Sequence, residues 1–263
     1  MISKIRDIIK KKNKKKIVSL TAYSKSIAKI LDKHCDIILV GDSMANVLYG
    51  HNNTHKINLK NIIQHSASVR MGVKKSLLVV DMPIGTYKNI KIAKKNAELV
   101  FKETNCDAIK LESNNKNFEI IKKLSDKNMP VMGHIGYTPQ YKKKFKIEGQ
   151  KKYEIDKLYK EAKLIEKAGA FAIVLECLSP KAAKYITKNL NIPTIGIGSS
   201  FNCDGQILVT DDMLGLSGFY PKFVKKYVRL DRIIEKAVKE YSKDIKLGKF
   251  PSSKNYLNGS KRK

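Results

Sequence analysis

Four acidic residues stand out because each closes a run that is otherwise apolar. The stretch DIILVGDS ends in Gly41, Asp42 and Ser43, LLVVDMP reaches Asp81, DAIKLE ends on Glu112, and AFAIVLE ends on Glu176. Such a run reads as a strand buried on both faces of a parallel sheet, and its last acid is then delivered to the rim. One acid at a strand end is ordinarily a helix cap or a solvated loop residue. Four repeats of the pattern point to a shared site. Brought together, the carboxylates of Asp42, Asp81, Glu112 and Glu176 would repel one another and take up protons unless a cation neutralised them. Oxygen donors without a His/Cys cluster favour a hard ion such as Mg2+ over Zn2+. Lys110 lies two residues before Glu112, so the strand period puts both on one face, where a buried ammonium would clamp an anion. His134 is, on these grounds alone, as well suited to a hydrogen-bonded core position as to donating to a substrate oxygen. A divalent cation with open positions, a lysine and a spare carboxylate suit proton abstraction beside the ketone of a 2-oxo acid. The resulting enolate would attack a one-carbon or carbonyl electrophile.

These residues need a scaffold that gathers strand ends. The spacing predicts strands at Ile17 to Thr21, over DIILV, at Leu77 to Asp81, Asp107 to Glu112, Pro130 to His134, Ala170 to Glu176, Ile192 to Ile197 and Gln206 to Thr210. Amphipathic helices fall between them: one capped by Ser24, one marked by Leu59, Ile62, Ile63, Val69 and Val73, one from about Ile90 to Glu103, one with Ile155, Leu158, Ala162 and Ile165 that stops at Gly169, and one opened by Ser179 and Pro180. Eight β-α repeats predict a (β/α)8 TIM barrel whose strand ends converge on one mouth. The competing doubly wound sheet would show a GxGxxG turn after an early strand, and the IGIG of Gly196 and Gly198 is no such turn. Two longer loops, around Tyr49 to Thr54 and from Lys142 to Lys152, are long enough to cover the mouth. Helices from about Pro221 to Lys246 and a tail from Phe250 remain for packing or subunit contacts. With no Pro/Gly/Ser-rich linker, residues 1–263 are expected to form one domain.

Composition narrows the class. No window approaches a membrane span and the N-terminus lacks an apolar signal core, so a soluble, cytoplasmic protein is expected. The four cysteines, Cys35, Cys106, Cys177 and Cys203, form no CxxC pair and read as small buried hydrophobes. The formal charge of +29 invites a nucleic-acid partner, yet only five of the 53 basic residues are arginine and the lysines spread over the whole chain. Phosphate recognition favours arginine's bidentate fork, so compositional drift is the better account and no specific nucleic acid is expected.

At these residues the chain resembles the ketopantoate hydroxymethyltransferase family, which commits carbon to pantothenate synthesis. The likeness runs from about Lys16 to Leu257 through LTAY, ILVGDS, PIGTY, AIKLE, VMGHIGYTPQ, VLEC, IPTIGIG, CDGQILV and GKFP. The resemblance implies that Asp42, Asp81 and Glu112 surround Mg2+, that Asp42, Ser43, Asp81 and Lys110 contact the oxo acid, that His134 lies in the same site, and that Glu176 accepts the proton. It further implies 5,10-methylenetetrahydrofolate as cosubstrate and a decameric homo-oligomer. Departures from the family pattern are Ser24 after TAY, Ser113 and Asn114 after KLE, Ser199 and Ser200 after IGIG, and Lys143 and Lys144 in the second loop. None removes an implied ligand or the base. Two alternatives are a lyase or mutase of a related Mg2+-enolate barrel family, and an RNA-binding protein on a decayed enzyme scaffold.

Overall fold

The computed structural model describes residues 2–113, 117–142, 144–218 and 220–256. Asn114, Lys143 and Leu257 lie outside the described residues. The chain begins with α1 (Ile2–Lys10), β1 (Ile17–Thr21), α2 (Lys25–Leu31), β2 (Ile37–Val40), α3 (Met44–Val47), α4 (Leu59–Arg70), β3 (Leu77–Asp81) and α5 (Ile90–Thr104). It continues through β4 (Ala108–Glu112), α6 (Phe118–Ser125), β5 (Val131–Gly136), α7 (Lys152–Lys167), β6 (Ala172–Glu176) and α8 (Pro180–Asn189). Last come β7 (Thr194–Ile197), β8 (Gly205–Leu208), α9 (Thr210–Leu214) and α10 (Leu230–Lys246). All eight strands pair in parallel and in chain order, and β8 returns to β1, so the sheet is a closed (β/α)8 barrel.

Strand period sorts the apolar side chains into two cores. Ile17, Ile37, Leu39, Leu77, Val79, Ala108, Met132, Ala172, Val174, Ile195 and Ile207 fill the interior, whereas neighbours such as Ile38, Leu78, Ile109 and Ile173 pack outward with the helices. Ile5 and Ile8 of α1 join the inner cluster and close the floor. Lysines tie α1 and the turn after it down: Lys4 donates to the Ser76 carbonyl at 2.8 Å, and Lys12 pairs with buried Asp204 at 2.8 Å. The strand ends opposite this floor carry Asp81, Glu112 and Glu176.

Several boundaries differ from the sequence expectation. The helix α6 was not anticipated, because eight residues give its apolar face (Ile120, Ile121, Leu124) little room to show a period. β5 runs on to Gly136, and β8 is Gly205–Leu208 because Thr210 already opens α9. Only Leu230–Lys246 of the expected C-terminal helical stretch is helical among the described residues. Ser24 does occupy the N-cap position of α2, yet its hydroxyl makes no capping bond and meets Ser26 Oγ at 3.2 Å instead. Ser179 caps α8 as expected, accepting from the Ala182 N–H, and all four cysteines are buried and unpaired.

Candidate active site

The barrel mouth gathers every predicted acid, but by two routes. Asp81, Glu112 and Glu176 are the last residues of β3, β4 and β6, and each is in phase with inward-facing residues two positions earlier. Asp42 is different. β2 stops at Val40, and a continued strand would turn Asp42 outward; the turn at Gly41 instead brings it over the barrel. A Cβ on Gly41 would come within 2.9 Å of Ser43 Oγ and 3.4 Å of Asp81 Oδ2, so a side chain there would press on the site itself. Ser43 begins the α3 turn and shares a 2.9 Å hydrogen bond with the buried Tyr23 hydroxyl.

Strand register then sets who meets whom. Asp81 lies opposite Lys110, Glu112 opposite His134, and Gly136 opposite Glu176. Lys110 Nζ is 2.7 Å from Asp81 Oδ1, and both side chains are almost fully buried. Asp81 Oδ2 accepts from the Asp42 N–H at 3.0 Å, while its Oδ1 faces the Lys110 ammonium. Lys110 Nζ lies 3.4 Å from His134 Nδ1, and His134 Nε2 lies 3.1 Å from Glu176 Oε2. Nδ1 also lies 3.6 Å from Glu112 Oε1; an ammonium only donates, so the tautomer that satisfies the Lys110 contact carries its proton on Nε2, on the Glu176 side. Glu176 keeps 18% of its side chain exposed and is reachable from the mouth.

Burial and like charge shape the protonation states. Burial, reinforced by Asp81, pushes Asp42 up to about 7, and burial with Asp42 nearby holds Glu112 well above the usual carboxylate range. Burial alone raises Glu176 to about 7 against the opposing pull of Lys110. For Lys110, burial works against the charge, but Asp81, Glu112 and Asp42 outweigh it and keep the ammonium charged. Burial and the adjacent Lys110 hold His134 well below its ordinary value, so it is neutral.

Two residues were missed as site members. Gln140, in the turn after β5, accepts the Tyr87 hydroxyl and donates to Asp42 Oδ2 at 2.8 Å. Both stood inside the motifs PIGTY and GYTPQ, where an amide and a phenol carry no spacing signal of their own. The loop around Tyr49 holds α3 and a short 3-10 turn, Thr54–Lys56, rather than bare coil. In the second loop, Lys142 binds the Gly136 carbonyl and Glu148, and Glu148 pairs with Leu178 just past β6.

Does this donor set fit a cation? Among the described residues no three His, Cys, Asp or Glu side chains converge closely enough to hold a metal as they stand. Lys110 and Gln140 lie among them. The chemistry nonetheless suits a hard cation: three buried carboxylates face one ammonium, and two of them are driven toward protonation for want of positive charge. The residues therefore fit Mg2+ by type and charge, with side-chain rotation needed to close a shell.

Fold and site together define a (β/α)8 barrel with a carboxylate-lined mouth. Residues 3–253 match the family model for ketopantoate hydroxymethyltransferase. A Pelagibacter ubique 3-methyl-2-oxobutanoate hydroxymethyltransferase is 52% identical over 255 residues, covering 97% of this chain and 99% of the relative. A Clostridioides difficile protein of the same name is 46% identical, covering 92% of this chain and 90% of the relative. Among solved structures, the phosphoenolpyruvate phosphomutase of Streptomyces platensis subsp. rosaceus aligns with a TM-score of 0.64 at 12% identity, covering 94% of this chain and 88% of that one. A phosphonopyruvate hydrolase complexed with oxalate and Mg++ aligns at 0.63 and 12% identity, covering 96% and 93%. The chain belongs to the ketopantoate hydroxymethyltransferase family and is a transferase. The solved structures share its fold alone, and the lyase or mutase alternative is not favoured.

Proposed function

We propose that this protein transfers a hydroxymethyl group from 5,10-methylenetetrahydrofolate to 3-methyl-2-oxobutanoate, giving 2-dehydropantoate, the first committed step toward pantothenate. The observation that carries this reading is Glu176: a carboxylate raised to about 7 by burial, 18% exposed, set against His134 and two strands away from the Lys110 ammonium. A general base works best with a pKa near the working pH, and Glu176 meets that condition.

Asp42, Asp81 and Glu112 would hold Mg2+, which when bound would polarise the 2-oxo group and so acidify the neighbouring carbon. Lys110 and Ser43 bind and orient the oxo acid, the first by charge and the second by its hydroxyl. Glu176 takes the proton from C3, and neutral His134 donates from Nε2 toward developing negative charge on oxygen. The electron pair released at C3 forms the new bond to the folate-derived carbon. Water breaks both bonds from that carbon to the two folate nitrogens, leaving a proton on each and freeing the carbon at the formaldehyde level. The alkoxide left after the C3 electron pair adds to it takes up the proton that Glu176 removed, and its oxygen, drawn from water, becomes the hydroxyl. In keeping with the resemblance, the working assembly is proposed to be a homo-oligomer, a decamer.

Proton exchange at C3 isolates the first step, because it needs no folate. Glu176→Gln keeps the shape of the side chain but accepts no proton; it should bind Mg2+ and 3-methyl-2-oxobutanoate yet lose deuterium exchange by about 100-fold or more, the usual contribution of a positioned base. Exchange at the parent rate, followed by proton NMR in deuterium oxide, would reassign the base.

A further inference from the structure

Gln140 lies four residues beyond the end of β5 and is 2% exposed. It reaches two acids with two different parts of itself. Its backbone N–H donates to Glu112 Oε2 at 3.0 Å, and its side-chain Nε2 donates to Asp42 Oδ2 at 2.8 Å and to the Met82 carbonyl at 3.1 Å. Its Oε1 accepts the hydroxyl of Tyr87, itself 3% exposed. The amide has a single workable orientation. Flipped, Oε1 would face the Asp42 carboxylate and the Met82 carbonyl, acceptor against acceptor, so Nε2 must point there and Tyr87 must be the donor. The separation of two acids brought in by different strands is thereby set within one residue.

The choice of an amide has a physical consequence. Arginine or lysine in this place would satisfy the same oxygens but cancel the charge that a cation needs. Glutamine engages one oxygen of Asp42 and one of Glu112 and leaves both charges in place.

We propose that Gln140 is a positioning residue that holds Asp42 and Glu112 in a fixed relation for a divalent cation, its own amide locked by Tyr87. The inference rests on the reading of Asp42 and Glu112 as cation ligands. Partners that orient metal ligands from outside the shell contribute about 10- to 100-fold in affinity, so their removal is measurable without turnover.

The test uses the full chain and Mn2+ as probe, titrated by electron paramagnetic resonance, with circular dichroism to establish folding. Gln140→Met keeps length without a donor and should weaken Mn2+ binding by about 10-fold or more. Tyr87→Phe should weaken it several-fold in the parent but add nothing in the Gln140→Met background, because Tyr87 acts through Gln140. In Gln140→Met that circular dichroism shows to be folded without metal, saturating Mg2+ should restore much of the deuterium exchange, because the loss is one of affinity. Parent-like Mn2+ affinity in Gln140→Met, or equal Tyr87→Phe losses in both backgrounds, overturns the proposal. If Gln140→Met does not fold, Tyr87→Phe decides alone, and unchanged affinity overturns it. A parent that binds no Mn2+ overturns the cation reading, and this inference falls with it; parent binding lost in Asp81→Ala but kept in Gln140→Met overturns the inference alone.

Discussion

At the level of single residues, the site is a problem in charge. Lys110 is the cation held inside the acid cluster, and its ion pair with Asp81 is shielded from water on both sides. Replacing it with methionine preserves the stem and removes the charge. Lys110→Met should weaken binding of the 2-oxo acid, read as a rise in its Kd by calorimetry, while Mn2+ still binds; loss of Mn2+ binding together with oxo-acid binding would make Lys110 part of the acid framework instead of an anion clamp. Glu176 gives a pH prediction with a definite sign. Burial raises it to about 7, so it gains a proton and ceases to be a base as pH falls through that value. Exchange at C3 should therefore decline below about pH 7, and a rate independent of pH between 5 and 8 would mean that Glu176 does not take the proton.

At the level of elements, the closest constraint is where β5 meets β6. Gly136 has φ +94°, and a Cβ there would come within 2.1 Å of the Glu176 carbonyl oxygen and 2.2 Å of Leu178 Cδ1. The backbone next to the proposed base thus depends on a residue without a side chain. Forcing an L side chain into this left-handed conformation costs about 1–2 kcal/mol before any clash is counted. Gly136→Ala should lower the melting temperature and the exchange rate together, whereas Gly218→Ala, at φ +79° with nothing within 4 Å, should affect melting alone. Equal exchange in both variants would argue that the β5–β6 junction does not set the position of Glu176. Cys177 follows the base with φ +55°, a second sign that the chain turns sharply there.

For the molecule as a whole, buried acids link stability to pH and to cations. Asp42 and Glu176 have folded-state values near 7, above the ordinary 3.8 and 4.5, so the folded chain binds more protons than the unfolded one across that window. Stability must then fall as pH rises through it. With chelator present, the melting temperature should drop between pH 5 and 8, and Asp42→Asn should flatten the drop; Mg2+ should raise the melting temperature more at pH 8 than at pH 5. A drop of the same size in Asp42→Asn would rule out Asp42 as its source. The outer face of α10 bears on assembly: Ile233, Ile234, Val238, Tyr241 and Ile245 are all exposed and no residue of the helix is buried. If the proposed homo-oligomer uses this face, Val238→Asp should shift the sedimentation coefficient toward that of a 29.8 kDa monomer, and an unchanged value would place the contacts elsewhere. No described helix is long and apolar enough to cross a membrane.

The sequence alone was enough for the barrel and for three of the four acids at its mouth, Asp81, Glu112 and Glu176, since both are written in local periodicity. An apolar run ending on an acid specifies a buried strand and its polar end wherever the run lies, and the two-residue repeat put Lys110 beside Glu112 inside the wall. Tertiary structure decided what period cannot reach. Asp42 lies beyond its strand and enters the mouth only because a turn redirects it, and α6 owes its place to packing more than to its brief pattern. Gln140 and Tyr87 became site residues when barrel closure brought together positions 98 and 53 apart in the chain. A hydrogen bond between such distant groups leaves no local trace, because the chain between them fixes neither their separation nor their orientation until the sheet has closed.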